Sequence, residues 1–147
     1  MCAVVFSGTA LGCDLEEVAP RSDAFVADYF TAEEQALVAS CSPGDRPRVS
    51  TLIWSAKESA LKALHTGLRL DTRSLIVTAR ESAGDWHPLQ VRYQDQLFLG
   101  WWQAADGFVR TIVSDSEPKA ADHVALPVKW EVRPIPLAQP GKPTFGE

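Results

Sequence analysis

Two short apolar runs open the chain, and both predict β-strands. They cover Ala3–Phe6 and Ala10–Glu16, with the turn-forming pair Ser7-Gly8 between them. Side chains alternate between the two faces of a strand, so Asp14 and Glu16 are expected on one face of the second strand. The pattern therefore predicts a strand that presents two carboxylates side by side.

Helix signals follow the second run. Ser22 is placed to cap a short helix over Asp23–Tyr29. Thr31 and Glu34 have the spacing of a capping box, in which each side chain bonds the other residue's backbone N–H. This box predicts a second helix that runs through Val38.

A third helix is predicted from about Pro47 to Leu64, because proline favours the first helical turn. Gly67 is the residue expected to close it in the left-handed conformation. Within this helix Glu58 and Lys62 are four residues apart, which places them on one face, one turn from each other. Such a pair also occurs on ordinary exposed helices, where it adds a few tenths of a kcal/mol.

The second half of the chain alternates in the manner of half-buried strands. Asp106-Gly107 is a strong hairpin signal there. Strands are predicted over Ser74–Thr78, Trp86–Tyr93, Leu97–Ala104, Phe108–Val113 and Val128–Val132. Helices followed by antiparallel strands favour an α+β domain with the helices packed on one face of the sheet.

Composition supports one globular domain. The chain has 147 residues, of which 46% are hydrophobic, and we predict a single domain over residues 1–133 with a Pro/Gly-rich tail over 134–147. No apolar run approaches the ~20 residues of a transmembrane helix, and the amino terminus lacks the basic start of a secretory signal. Three cysteines without metal-ligand spacing predict a reduced, cytoplasmic protein.

The net charge of −5 is unevenly distributed. Residues 1–45 hold eight acids and one arginine, whereas residues 46–73 hold six basic and two acidic side chains. This asymmetry suits a divalent cation beside an anionic ligand, and it equally suits two solvated surfaces that attract each other. The overall acidity argues against broad nucleic-acid binding.

Three segments, taken together and in order, resemble the 4′-phosphopantetheinyl transferase superfamily. The family pattern is a G-x-D-x-E strand, an F-x-x-x-E helix start and a W-S-x-K-E-x-x-x-K helix. The matching segments are GCDLEEV (12–18), DYFTAEE (28–34) and WSAKESALKAL (54–64). The resemblance spans about residues 3–113 and is closest to the carboxyl-terminal half of the larger, surfactin-synthetase-activating type. It implies a 4′-phosphopantetheinyl transferase-like half-domain.

The resemblance implies a specific chemistry. These enzymes use Mg²⁺ to transfer the 4′-phosphopantetheine arm of coenzyme A to a serine of an acyl or peptidyl carrier protein; Mn²⁺ also accepts carboxylate ligands. Asp14, Glu16 and Glu58 would bind the metal, while Lys57 and Lys62 would bind coenzyme A phosphates. Glu58 and Lys62 are the implied catalytic residues, with Glu58 either a metal ligand only or also the base for the serine hydroxyl.

Two roles are predicted for Arg21: it contacts an acidic carrier protein, or it caps the loop that precedes it. The carrier's pathway, whether fatty-acid, polyketide or nonribosomal peptide synthesis, stays open.

One part of the family pattern is missing. The larger members carry an Asn-x-Ser-His-Ser segment that contacts the nucleotide, and the smaller trimeric synthases carry a Ser-His-Ser/Thr segment near the carboxyl end; neither is present. A complementary amino-terminal half or a second copy of the chain would complete the site. Alternatively, the chain is a non-catalytic homologue that binds a carrier protein or coenzyme A. Of the adjacent Trp101 and Trp102, the outward-facing one is predicted to contribute to an interface.

Overall fold

The computed structural model describes residues 9–115, where helices pack on one face of a five-stranded antiparallel sheet with the order β1-β5-β4-β3-β2. The helices are α1 (Asp23–Tyr29), α2 (Ala32–Ser40) and α3 (Arg46–Ala63). The strands are β1 (Leu11–Glu17), β2 (Leu75–Ala79), β3 (His87–Tyr93), β4 (Gln96–Ala105) and β5 (Phe108–Ser114). Two 3₁₀ turns, Gly67–Arg69 and Thr72–Ser74, connect α3 to β2. The predicted α+β class is confirmed.

Three predictions lie outside the described residues: the strand over Ala3–Phe6, the strand over Val128–Val132 and the tail over 134–147. Within residues 9–115 no helix is long and apolar enough to cross a membrane.

The two short helices start as their caps predict. The Ser22 hydroxyl accepts a hydrogen bond from the Phe25 N–H at 3.1 Å. Both halves of the capping box at α2 are formed, with Thr31 Oγ1 accepting from the Glu34 N–H at 3.2 Å and Glu34 Oε2 accepting from the Thr31 N–H at 2.8 Å. These caps occupy backbone donors that have no partner inside a helix.

The carboxyl end of α3 differs from the prediction. His65, and not Gly67, is the left-handed residue that closes the helix, with φ of 56°. The His65 N–H donates to the Lys62 carbonyl and the Thr66 N–H donates to the Leu61 carbonyl, both at 3.2 Å, which is the Schellman pattern. Histidine tolerates positive φ better than most residues, so the left-handed residue that closes the helix lies two positions before the glycine.

The hairpin between β4 and β5 forms as predicted. Asp106 and Gly107 both have positive φ, 55° and 78°, as a type I′ turn requires. The turn also holds the end of β1, because the Val18 N–H donates to the Gly107 carbonyl at 2.8 Å. The strand that carries the predicted carboxylates is therefore fixed beside the hairpin.

The core lies between α3 and the helix-facing side of the sheet. It excludes water from one stripe of the helix and from alternating residues of the strands. Its main members are Leu52, Ala56, Ala60, Leu61, Leu75, Leu89, Val91, Phe98, Trp102, Val109 and Val113.

Small residues let α3 lie unusually close to β1 and β5. At Gly12 an added Cβ would overlap the Ser59 carbonyl group and the Ala63 backbone nitrogen. Thr111 Oγ1 lies 2.9 Å from Ser55 Oγ and 2.7 Å from Ser59 Oγ, so buried hydroxyls join the helix to the sheet. This close approach sets the position of the carboxyl-terminal half of α3 against β1.

Candidate active site

Asp14 and Lys62 form the centre of the candidate site. Asp14 is 7% exposed, on the face of β1 that α3 covers. Lys62 Nζ donates to Asp14 Oδ1 at 2.6 Å and to the Cys13 carbonyl at 3.2 Å, while half of its side chain remains exposed. The second oxygen, Asp14 Oδ2, is buried without a hydrogen-bond partner among the described residues. A buried, unpaired carboxylate oxygen is costly unless a ligand occupies it.

Glu58 lies half-buried on α3, one turn before Lys62. Burial raises the pKa of Glu58 above 4.5, and the charges of Asp14 and Glu16 raise it further, while Lys62 opposes them. Asp14 and Glu16 are therefore each close enough to Glu58 to repel its carboxylate. A cation between them would relieve this repulsion.

Glu16 is held by Arg21. Arg21 Nη2 donates to Glu16 Oε2 at 3.0 Å, and the guanidinium lies 5.0 Å from the centre of the Phe25 ring. Arg21 therefore neutralises one carboxylate of the site, a contact that neither sequence-based reading anticipated. Because the pair is partly exposed, Glu16 can exchange this partner for another at modest cost.

The structure places Lys57 away from these carboxylates. Its side chain is fully buried, and its ammonium donates to Glu34 Oε2 at 2.8 Å, the Thr72 carbonyl at 2.8 Å and the Leu75 carbonyl at 3.0 Å. An ammonium has three donors, and all three are occupied. This geometry does not support the predicted contact of Lys57 with coenzyme A phosphates. Its partner is Glu34, which the sequence identified as a cap and as the glutamate of the F-x-x-x-E segment but not as a partner of Lys57.

The three predicted carboxylates are of the kind that binds a hard cation, but they are not arranged as a finished metal site. Among residues 9–115 no group of three or more His, Cys, Asp or Glu side chains is arranged to hold a metal ion as it stands. Two observations fit a cation nonetheless: the unpaired Asp14 Oδ2 and the raised pKa of Glu58. All candidate donors are carboxylate oxygens, which Mg²⁺ prefers. Asp14, Glu16 and Glu58 thus stay the predicted ligands.

We expect Glu58→Gln to stabilise the protein when divalent cations are chelated. The pKa of Glu58 is higher in the folded state, so its contribution to stability is full below pH 4.5 and is lost as pH rises through the folded-state pKa. The variant should therefore melt about 1–4 °C above the parent at pH 7.5 in EDTA, and the difference should vanish near pH 4. Circular dichroism melts at the two pH values measure this.

The exposed Glu17→Gln is the matched control, and it should leave the melting temperature unchanged at both pH values. A lower melting temperature for Glu58→Gln at pH 7.5 would show that the carboxylate is not destabilised by its neighbours.

Comparisons with known proteins identify a family and a similar fold. The sequence profile of the 4′-phosphopantetheinyl transferase superfamily matches residues 10–113. The fold is similar to the crystal structure of Thermotoga maritima holo-[acyl-carrier-protein] synthase (AcpS), with a TM-score of 0.51 and 24% identity over 71% of this chain. The chain spans 61% of the length of that synthase. Among curated proteins no match is found.

Proposed function

The chain belongs to the 4′-phosphopantetheinyl transferase superfamily, and we propose that it takes part in transferring the 4′-phosphopantetheine arm of coenzyme A to a serine of an acyl or peptidyl carrier protein. The observation that carries the proposal is the Asp14–Lys62 pair with Glu58 beside it, at the junction of β1 and α3. The buried, unpaired oxygen of Asp14 gives this group of charges an open coordination position.

The reaction joins the carrier serine oxygen to the phosphorus that bears the pantetheine arm. The bond from that phosphorus to the bridging oxygen breaks, and 3′,5′-adenosine bisphosphate leaves. Catalysis of such transfers is mostly positioning and charge stabilisation. Asp14, Glu16 and Glu58 would hold Mg²⁺ or Mn²⁺, which neutralises charge on the pyrophosphate when bound.

Lys62 and Glu58 have roles that follow from their own geometry. The half-exposed Lys62 ammonium uses some of its three donors on Asp14 and Cys13, and it can turn toward a phosphate oxygen at the surface. The raised pKa of Glu58 makes it a stronger base than an exposed glutamate. This supports Glu58 as the acceptor of the serine proton in addition to its proposed role as a metal ligand.

Intact-mass analysis of an apo carrier protein tests the proposal. The carrier is incubated with this chain, coenzyme A and Mg²⁺, and the expected result is a gain of one phosphopantetheine group that EDTA abolishes. No gain, even with a separately supplied amino-terminal half of a larger transferase, would overturn the proposal. Coenzyme A binding without any mass gain would favour the non-catalytic alternative, for which the missing Asn-x-Ser-His-Ser segment argues.

We propose that a second copy of the chain, or a complementary half, covers the sheet face opposite the helices. Trp102 faces α3 and is 2% exposed, so Trp101 is the tryptophan on the opposite face. Leu15, Leu97 and Phe108 are exposed on the same face. An apolar surface of this kind usually marks an interface.

Trp101→Glu should weaken self-association at least about tenfold, because it replaces the large apolar side chain in the middle of β4 on this face with a charge. Size-exclusion chromatography with light scattering at micromolar concentration measures the effect. Leu37→Glu, on exposed α2, is the control and should leave the assembly unchanged. A parent protein that runs as a clean monomer would contradict the proposed association.

A further inference from the structure

Two residues from different segments of the family pattern meet in the core. Glu34 is 3% exposed, and its Oε2 accepts hydrogen bonds from the Thr31 N–H and from Lys57 Nζ, both at 2.8 Å. Its other oxygen, Oε1, accepts from the Val77 N–H at 3.0 Å. One carboxylate therefore bonds the start of α2, the middle of α3 and the β2 strand.

Lys57 extends the same junction. Besides Glu34, its ammonium donates to the carbonyl of Thr72, in the 3₁₀ turn before β2, and to the carbonyl of Leu75, the first residue of β2. It also lies 5.7 Å from the centre of the Phe30 ring, the aromatic residue of the F-x-x-x-E segment. The Thr72 hydroxyl in turn donates to the Tyr29 carbonyl at 2.9 Å, which attaches the end of α1. The three α-helices of residues 9–115 are thus linked at this pair, α1 by way of Thr72.

The hydrophobic effect does not explain why a charged pair occupies this part of the core. Taking two charges out of water costs desolvation energy that their attraction only partly returns, and apolar residues of similar volume often stabilise a core as well or better. Burial lowers the pKa of Lys57, and the hydrogen bond and charge of Glu34 offset part of that effect. What the pair supplies is directional: five hydrogen bonds with preferred angles, where methyl groups would allow the elements to slide.

The rotation of α3 about its own axis decides which of its side chains face Asp14. Lys57 and Glu58 are adjacent, about 100° apart around the helix. When Lys57 is fixed toward α2 and β2, Glu58 and Lys62 must point toward β1, where Asp14 lies. A small rotation of α3 would carry both side chains away from Asp14 without unfolding the core.

We propose that Glu34 and Lys57 are positioning residues that hold α3 in the rotation at which Glu58 can share a divalent cation with Asp14. This rests on the proposed function, because it assigns their role with respect to the same carboxylate site. Residues that orient metal ligands without touching the metal commonly change metal affinity by about 10–100-fold when they are replaced.

The test compares metal affinity with stability in variants of the pair. The double variant Glu34→Gln/Lys57→Met removes both charges together, so no unpaired ion is left in the core. We expect it to remain folded by circular dichroism and to bind Mn²⁺ about 10–100-fold more weakly, measured by electron paramagnetic resonance and by calorimetry. Glu34→Asp keeps the charge but shortens the side chain; we expect a smaller loss of affinity, and this variant serves if the double variant does not fold.

Val91→Ala is the control for a merely structural effect. Val91 is a fully buried residue on β3, and its truncation should lower the melting temperature while leaving Mn²⁺ affinity unchanged. If Val91→Ala weakens Mn²⁺ binding as much as the Glu34 and Lys57 variants do, general destabilisation explains the loss and the positioning role is overturned.

Two results separate this inference from the proposed function. If the parent binds Mn²⁺, Asp14→Asn abolishes the binding, and the folded Glu34 or Lys57 variants bind it as the parent does, then only the positioning role is overturned. If the parent binds no Mn²⁺, or Asp14→Asn leaves the binding unchanged, the carboxylate metal site and the positioning role both fail.

Discussion

Replacing Asp14 by asparagine is expected to lower the rate of phosphopantetheine transfer by about 10²–10³-fold, the usual cost of removing one preorganised charge-stabilising group. Asparagine has the same shape, so the change isolates the charge. Asp14 interacts with both Lys62 and Glu58: it forms a 2.6 Å ion pair with Lys62, and after burial its charge is the next cause of the raised pKa of Glu58. Without that charge the cation loses a ligand and Lys62 loses the partner that holds it in place.

Initial rates of carrier modification, followed by intact mass at saturating coenzyme A, measure the effect. Asp85→Asn is the matched control, since Asp85 is an exposed aspartate in the loop before β3, and it should transfer at the parental rate. Circular dichroism should show Asp14→Asn to be folded. A variant that is folded and keeps more than about a third of the parental rate would show that Asp14 does not take part in catalysis.

Local chemistry explains why much of the fold could be predicted. The Ser22 cap and the Thr31–Glu34 capping box involve residues three apart, so their hydrogen bonds depend on little else. The Asp106-Gly107 turn likewise specifies its own conformation. Where two solutions compete within a few residues, as His65 and Gly67 do at the end of α3, sequence alone does not decide between them.

The roles of the two lysines required the tertiary structure. Lys57 and Lys62 are five residues apart, roughly 140° around a helix, so they cannot face the same ligand equally. The sequence contains this angle, but it does not say which lysine is buried. Which lysine is buried depends on Glu34, which lies 23 positions before Lys57. The capping role of Glu34 does not predict that it also pairs with a lysine.

The electrostatic partners of the site were also beyond sequence reasoning. Glu16 and Arg21 are five apart across the end of β1, and nothing in their spacing predicts an ion pair. The same holds for the approach of α3 to β1, which brings Asp14 and Lys62 within 2.6 Å across 48 positions of sequence. Gly12 is the residue that permits this approach, and a glycine inside a strand does not by itself show what packs against it.

Gly12→Ala is accordingly expected to lower the free energy of unfolding by about 3 kcal/mol, the upper part of the range for an overpacked interior. The added Cβ would meet the Ser59 carbonyl and the Ala63 backbone nitrogen, both of which belong to the α3 backbone and cannot swing aside as a flexible side chain would. The helix itself must move away from β1. That movement would separate Lys62 and Glu58 from Asp14, so metal affinity should fall together with stability.

Urea unfolding followed by circular dichroism measures the loss, and Gly44→Ala provides the comparison. Gly44 lies in the turn before α3, its φ is not positive, and a Cβ there would have no atom within 4 Å, so alanine should change stability by less than about 0.5 kcal/mol. If Gly12→Ala were as stable as Gly44→Ala, then α3 could not lie against β1 as described. The assignment of Asp14, Glu58 and Lys62 to one site depends on that contact and would fail with it.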